Sequence, residues 1–200
     1  KGLSSYKDYY DLLRSPCAGN LELNALFRLL TVGETYFFRN PAQFDALRNF
    51  IIPEIIKKRS LGRHSIKIWS AGCSTGEEPY SIAIYLRETL PNPFDWDIYL
   101  LATDINEEVL NKARDAVYGD KAVRNLPEEY IHKYFITKQD RFILREEVKK
   151  MVEFAYHNLA KDPNIVCGQE NLDIIFCRNV TIYFDLDTTK KVIGGFYKSL

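Results

Sequence analysis

The chain has 200 residues, of which 46% are apolar, 27% charged and 14% aromatic. This is the composition of a globular domain, and it excludes a collagen, a coiled coil and a disordered polyelectrolyte. The 27 basic and 27 acidic residues cancel, no run reaches the roughly 18 apolar residues of a membrane span, and the charged start has no signal-peptide core. We therefore expect a soluble, cytoplasmic protein with no nucleic-acid partner and no membrane insertion.

The first 60 residues have the pattern of helices. Two capped helices are predicted, one beginning at Asn20 and one at Asn40, where Pro41 fits the first helical position and Pro53 should kink or end the helix. Their apolar faces comprise Leu23, Leu26, Phe27 and Leu30 in the first helix, and Phe44, Leu47, Phe50 and Ile51 in the second. We predict an N-terminal helical subdomain over residues 1–60 and a second domain over residues 61–200.

Positive charge is concentrated in one stretch. Between residues 39 and 67, seven basic residues stand against two acidic ones, a local net charge of +5. Such a stretch suits an acidic partner, for which Lys57, Lys58 and Arg59 are the candidate binding residues. The alternative, a solvated helix face, is equally open.

From Ser65 onward, short apolar strands alternate with helices, which predicts a parallel sheet and a Rossmann-like α/β fold. The predicted strands are 66–71, 97–104 and 173–177, and the predicted helices are 81–89, 106–115 and 187–200. Two β-like runs, Arg141–Arg145 and Met151–Tyr156, interrupt this alternation. We interpret them as a small antiparallel β insertion at about residues 126–157, whose last strand joins the main sheet.

A turn rich in small residues, GCSTGEEPYS, follows the first strand and opens a helix. Small residues at this position let a nucleotide approach the backbone closely. The turn differs from the dinucleotide motif GxGxxG because Glu77 and Glu78 occupy the first helical turn, where two carboxylates would repel a pyrophosphate. They either complement the helix dipole or bind a cofactor with a cationic end.

The second strand ends in Asp104, at the same edge of the predicted sheet. An acidic residue there usually accepts hydrogen bonds from ribose hydroxyls. The alternative is a helix cap, a role for which Asn106 competes. A cofactor with a ribose, an ammonium group and no phosphate is S-adenosylmethionine.

Four motifs then occur in order: TYFFR at 35–39, WSAGCSTGEEPYSIAI at 69–84, ATDIN at 102–106 and FCRNVTIYFD at 176–185. With these motifs the chain resembles the chemotaxis receptor methyltransferases of the CheR family over nearly its whole length. The resemblance implies a methyltransferase domain over residues 61–200. It also implies an enzyme that transfers the methyl group of S-adenosylmethionine to receptor glutamates, forming methyl esters in chemotaxis signalling.

The resemblance also implies where the functional residues lie. The reaction centre falls on Arg39 and Tyr183. The cofactor contacts fall on Thr35, Arg39, Glu78, Asp104, Asn158, Leu159, Arg178 and Asn179. The implied partners are the cytoplasmic helices of chemotaxis receptors, which we expect a monomer to methylate, with Lys57, Lys58 and Arg59 binding the substrate.

The residue types at the implied reaction centre suit this reaction. A carboxylate is a nucleophile at neutral pH, so no general base is required. Arg39 can hold a carboxylate by forked hydrogen bonds, and Tyr183 can donate one from its hydroxyl. Without the resemblance, a surface salt bridge for Arg39 and a core aromatic for Tyr183 would be the stronger interpretations.

Three features depart from the family pattern. Gly33 stands where relatives often carry a polar side chain that reaches the cofactor. The segment FITKQDRFIL lacks the glycine-containing loop with which some relatives bind a receptor's C-terminal pentapeptide, so we expect recognition independent of that peptide. The β-hairpin with which the family completes its sheet is missing after Leu200, and we expect these residues to be part of a longer chain.

Two other functions stay open at the level of the sequence. An NAD-dependent dehydrogenase would use the same strand, turn and distant acid, although GxGxxG is lacking. A non-catalytic regulatory module could bind S-adenosylmethionine on the same fold. No metal site is predicted, because the four cysteines, Cys17, Cys73, Cys167 and Cys177, show no CxxC spacing.

Overall fold

The structure is a computed structural model that describes residues 5–15, 19, 22, 23, 25, 26, 34–59, 64–162 and 171–200. The chain divides into two compact units, residues 1–34 and residues 35–200. In the first unit, helix α1 (Tyr6–Leu13) begins at Ser5, whose hydroxyl accepts a hydrogen bond from the backbone N–H of Asp8. Within the described ranges, none of the helices combines the length and the apolar character needed to cross a membrane.

Some sequence predictions fall on residues that the structure does not describe. They are most of the helix predicted from Asn20, and the positions Gly33, Cys17 and Cys167. The predicted division of the chain at residues 60 and 61 stays a prediction.

The main sheet of the second unit is parallel, as predicted. The strand β1 (Ser65–Ala71) pairs with β2 (Asp97–Asp104) on one side and with β7 (Ile174–Phe176) on the other, and β6 (Val152–Tyr156) pairs with β2. The order in the described part of the chain is therefore β6-β2-β1-β7. Because the strands run in the same direction, their carboxyl ends meet at one edge of the sheet.

Helices cover both faces of this sheet, which confirms the α/β prediction. The helices that pack on the two faces are α4 (Glu77–Thr89), α5 (Glu107–Asp115) and α9 (Leu186–Ser199). On one face Ile68 of β1 lies in the same buried cluster as Ile82 of α4. On the other face Trp69 of β1 lies in a cluster with Val192 of α9. Burial on both faces explains why the strands are continuous apolar runs.

A small antiparallel sheet lies between β2 and β6 in the sequence. Its strands are β3 (Val117–Tyr118), β4 (Phe135–Lys138) and β5 (Arg141–Leu144), in the order β3-β5-β4. Its short helices are α6 (Asp120–Val123), α7 (Glu128–Tyr134) and α8 (Glu146–Lys149). The sheet thus includes residues before 126, the predicted start of the insertion. The strand β3 was not predicted because two residues are too few to show a periodic pattern. The run ending in β6 joins the main sheet, as predicted.

The helix within the basic stretch of residues 39–67 begins at Pro41, as predicted, but the side chain of Asn40 does not cap it as predicted. Asn40 has a left-handed backbone conformation (φ +66°), and its side chain makes no capping hydrogen bond. The helix comprises α2 (Pro41–Ala46), a π-helical turn and α3 (Ile52–Arg59).

The same helix continues through Pro53, where a kink or an end is predicted. The preceding residues, Leu47–Ile51, form the π-helical turn, in which the N–H of Ile52 donates to the carbonyl of Leu47. A proline ring clashes with the carbonyl four residues earlier, and we attribute the wider turn to this misfit. The extra residue rotates the apolar face, so Phe50 is 72% exposed and Ile52 is buried instead.

Candidate active site

The turn after β1 is fixed to the end of β2 by backbone hydrogen bonds. The N–H groups of Gly72 and Cys73 both donate to the carbonyl of Thr103, at 2.8 and 2.9 Å. Gly72 has φ +84°, and a Cβ placed on it would lie 2.2 Å from Cγ2 of Val180. Only glycine fits here, because the backbone is left-handed and the space is filled.

Asp104, at the carboxyl end of β2, closes this turn. Its Oδ2 accepts the N–H of Ser74 (2.9 Å), and its Oδ1 accepts the N–H of Asn106 (3.0 Å). Asn106 is the residue whose side chain caps α5, by accepting the N–H of Glu108, so Asp104 is not the helix cap. Burial raises the pKa of the Asp104 carboxyl, against the lowering effect of its backbone hydrogen bonds.

The two glutamates of the turn have different partners. Glu77 accepts a hydrogen bond from the hydroxyl of Thr75 within the turn (2.7 Å). Glu78 accepts one from the hydroxyl of Ser70 (2.8 Å), and its Oε2 lies 3.5 Å from Nη1 of Arg178. Burial raises the pKa of both carboxyl groups, and at Glu78 the Ser70 hydrogen bond and the nearby guanidinium groups oppose this rise.

Arg178 joins two motifs that are distant in the sequence. It follows β7, and its Nη1 donates to the carbonyl of Arg39 (2.8 Å) as well as approaching Glu78. The guanidinium of Arg39 is close enough to Glu78 to lower the pKa of that carboxyl. The structure therefore brings together the predicted residues Arg39, Glu78 and Arg178, and the side chains of Glu78 and Arg178 are only 14% and 15% exposed.

The residues after β6 lie beside Asp104. The N–H of His157 donates to the Asp104 carbonyl (3.0 Å). The next residue, Asn158, orders the following turn, since its Oδ1 accepts the N–H groups of Ala160 and Lys161. Leu159 is buried against the α9 face of the sheet. Asn158 and Leu159 therefore follow a strand that ends at the same sheet edge as Asp104.

Three further predicted residues are Tyr183 and Asn179, which are exposed, and Thr35, which is half-buried. Tyr183 is in the 3-10 helix Thr181–Tyr183 and is 54% exposed, while Asn179 is exposed with a left-handed backbone (φ +56°). Thr35 lines a cavity of about 420 Å³ together with Thr75 of the turn after β1. The other residues lining this cavity are Glu77, Lys112, Val117, Tyr118, Gly119, Asp120, Lys121 and Ala122.

The structure does not bring Arg59 to this site. Its guanidinium pairs with Asp173 and with the hydroxyl of Ser65, at the amino ends of β7 and β1. The seven residues of β1 extend over roughly 20 Å at about 3.3 Å per residue, so Arg59 lies near the opposite edge of the sheet. Lys58, one residue earlier, pairs with Glu54 on the helix surface (2.8 Å).

One residue that touches the predicted site was missed. Ser70 is fully buried in β1 and holds Glu78 through its hydroxyl. A serine inside the apolar run IKIWSA is the signal that could have found it, since a buried hydroxyl requires a hydrogen-bond partner.

The chain is similar in sequence to known methyltransferases over most of its length. Residues 33–200 match the family model described as CheR methyltransferase, SAM binding domain. The chain is 40% identical to the chemotaxis protein methyltransferase of Borreliella burgdorferi over 98% of this chain and 69% of the relative. It is 36% identical to chemotaxis protein methyltransferase 2 of Vibrio cholerae and to the Escherichia coli enzyme, covering 67% and 65% of those proteins.

Among solved structures, the chain is similar to magnesium protoporphyrin IX methyltransferase from Synechocystis with bound SAH. The TM-score is 0.42 at 10% sequence identity, over 100% of this chain and 57% of that chain. This likeness is too slight to support an argument about function.

Proposed function

This chain belongs to the CheR methyltransferase family, and from that membership we propose that it methylates glutamate side chains of chemotaxis receptors, forming methyl esters. It is an S-adenosylmethionine-dependent methyltransferase, and S-adenosylmethionine is its cofactor. One observation carries the proposal: the largely buried carboxylate of Glu78 lies 3.5 Å from a guanidinium nitrogen of Arg178 and within electrostatic range of Arg39, near the edge where β1, β2 and β7 end.

The charges of this edge suit the cofactor. The buried carboxylate of Glu78, with its raised pKa, gains from a cationic partner, which the ammonium group of the cofactor provides. The Asp104 carboxylate accepts backbone N–H groups of Ser74, Ile105 and Asn106, and with about four acceptor positions it keeps capacity to accept a ribose hydroxyl. We assign the remaining contacts to Thr35, Asn158, Leu159, Arg178 and Asn179, as the family resemblance implies.

The transfer step requires positioning rather than proton transfer. The bound cofactor supplies an electrophilic methyl group on a sulfonium. Arg39 holds the substrate carboxylate by forked hydrogen bonds, and the Tyr183 hydroxyl donates a third. With the cofactor bound, one carboxylate oxygen would take the methyl group as the methyl–sulfur bond breaks, and the electron pair of that bond would remain on sulfur. The products are a glutamate methyl ester and S-adenosylhomocysteine. The rate enhancement comes from holding the substrate carboxylate close to the methyl group and in line with it.

Recognition of the receptor is the second part of the proposal. We assign the protein to the cytoplasm, acting as a monomer on the cytoplasmic helices of receptors without a pentapeptide tether. Arg59 is half-buried and pairs with Asp173, whereas Lys57 and Lys58 are exposed, Lys58 beside Glu54, so the part of the predicted basic set that we assign to electrostatic attraction of an acidic helix is the exposed charge of Lys57 and Lys58. The double variant Lys57→Glu, Lys58→Glu should slow receptor methylation at low salt and leave the affinity for S-adenosylhomocysteine unchanged. Normal methylation by this variant would contradict the assignment, as would micromolar binding of a receptor C-terminal pentapeptide.

The decisive experiment is methyl transfer itself. Radiolabelled S-adenosylmethionine is incubated with the cytoplasmic fragment of a chemotaxis receptor, and base-labile label on the fragment is counted. Label lost when the receptor glutamates are replaced by aspartate or alanine supports glutamate methylation. Binding of S-adenosylmethionine without transfer would instead support the non-catalytic regulatory module, and family membership already removes the dehydrogenase alternative.

A further inference from the structure

Two guanidinium groups, one of them that of Arg39, lie against the ring of Tyr36. The Cζ atom of Arg124 lies 4.1 Å from the centroid of the Tyr36 ring, and that of Arg39 lies 5.8 Å from it. These two distances limit the separation of the guanidinium groups to about 10 Å. Neither Tyr36 nor Arg124 is assigned a role by the sequence motifs.

Hydrogen bonds fix this arrangement to the rest of the site. The N–H of Phe37 donates to the carbonyl of Ala122 in α6 (2.9 Å), and Arg124 follows α6 directly. On the other side, the carbonyl of Arg39 is held by Arg178. The small sheet region is thus bound to the segment that carries Tyr36 and Arg39, and the Arg124 side chain is exposed.

We propose that Arg124 is a substrate-binding residue that holds a second acidic side chain of the substrate, one helical turn away from the glutamate held by Arg39. The proposal rests on the proposed function, which supplies a helical protein segment as substrate. Glutamates three or four residues apart on a helix have Cβ atoms about 5–6 Å apart. Their extended side chains reach guanidinium groups up to about 10 Å apart, and the two ring distances keep the guanidinium groups of Arg39 and Arg124 within that limit.

The tyrosine ring explains why an arginine suits this position. A guanidinium lying on an aromatic face is held by cation–π attraction, and its N–H groups, which lie in its own plane, still point outward. A carboxylate can then be bound by two parallel hydrogen bonds. A lysine would carry the charge without the planar fork, so Arg124→Lys should retain only part of the effect.

The test uses three labelled alanine-based helical peptides and the 200-residue chain saturated with S-adenosylhomocysteine. The first peptide has two glutamates four residues apart. The second has the same two glutamates two residues apart, so that net charge is equal but the side chains face different directions. The third has one glutamate replaced by glutamine. Binding is measured by fluorescence anisotropy for wild type, Arg124→Ala, Arg124→Lys and the control Arg145→Ala, which removes another exposed arginine.

The wild type should bind the first peptide about fivefold more tightly than the second or third, as expected for one additional partly exposed ion pair. The Arg124→Ala variant should lose this preference, Arg124→Lys should keep part of it, and Arg145→Ala should keep all of it. Thermal unfolding and S-adenosylhomocysteine affinity confirm that each variant is folded.

Three results would overturn the inference: a wild type without preference for the four-residue spacing, an Arg124→Ala variant that keeps the preference, or loss of S-adenosylhomocysteine binding in that variant. Failure of the proposed function is distinguishable from these, because it means no methyl transfer by the wild type to any receptor fragment. If Arg124 is required for tighter binding of the first peptide but no receptor fragment is methylated, only the proposed methyl transfer is overturned, and the binding role of Arg124 stands.

Discussion

Replacing Glu78 by glutamine separates charge from shape at the centre of the site. Glutamine keeps the volume and, through its amide oxygen, the hydrogen bond from the Ser70 hydroxyl (2.8 Å). It cannot neutralise the ammonium group of the cofactor. A hydrogen bond to a charged group contributes about 1.5–3 kcal/mol, so the affinity for S-adenosylhomocysteine should fall roughly ten- to hundredfold.

The stability of the same variant should change in the opposite direction. Because burial raises the pKa of Glu78, the folded chain binds this proton more tightly than the unfolded chain does. The free energy of unfolding therefore falls as the pH rises from the ordinary glutamate pKa through the raised one. Glutamine is neutral throughout this window, so Glu78→Gln should be at least as stable as wild type at neutral pH.

Two measurements check this pair of outcomes. Titration calorimetry with S-adenosylhomocysteine between about pH 5 and pH 7.5 should show wild-type affinity weakening toward acid, since a protonated Glu78 no longer pairs with an ammonium group. The Glu78→Gln variant should show a smaller slope, with the remainder due to Asp104, whose pKa burial also raises, and Ser70→Ala, which keeps the charge, should bind more tightly than Glu78→Gln. Wild-type affinity combined with a lower Tm in Glu78→Gln would refute the reasoning, because Glu78 would then be a structural residue.

Three further outcomes are expected. Tyr183→Phe should lower kcat about tenfold or more with nearly unchanged S-adenosylhomocysteine affinity, because it removes one donor and almost no volume; full turnover at saturating receptor would remove Tyr183 from the mechanism. Asp104→Ala should weaken S-adenosylhomocysteine binding roughly ten- to hundredfold in calorimetry, and it should also lower the urea midpoint, since the N–H groups of Ser74 and Asn106 lose their acceptor. Gly72→Ala should cost about 2 kcal/mol or more in urea unfolding, because φ is +84° and the new Cβ meets Val180; an unchanged midpoint would show that the turn adapts.

Features that depend on local periodicity and on sheet topology could be predicted from the sequence. The apolar runs before Gly72 and up to Asp104 specify buried strands, and parallel strands necessarily bring their carboxyl ends to one edge. For that reason the sequence sufficed to predict that the turn after β1 lies beside the end of β2, where Asp104 accepts the N–H of Ser74. The role of Asn106 as the cap of α5 followed from ordinary capping preferences.

Features that depend on partners distant in the chain could not be predicted. Arg59 looks like one of several surface cations, yet it pairs with Asp173, 114 residues later. The π-helical turn before Pro53 shifts the helical register by one residue, and Phe50 then lies at the surface. A prediction that assumes a constant period of 3.6 residues cannot detect such a shift. Arg124 reaches Tyr36 only because α6 is bound to the segment that carries Tyr36.

The hydrogen bonds between the turn after β1 and the end of β2 have a thermodynamic consequence for ligand capture. The amide groups of Gly72, Cys73 and Ser74 are already held by Thr103 and Asp104. Ordering a loop residue costs roughly 1–2 kcal/mol of conformational entropy, and here folding has met that cost before any ligand arrives. Association with the cofactor is therefore closer to a lock-and-key event than to induced fit, and most of the contact energy remains available as affinity.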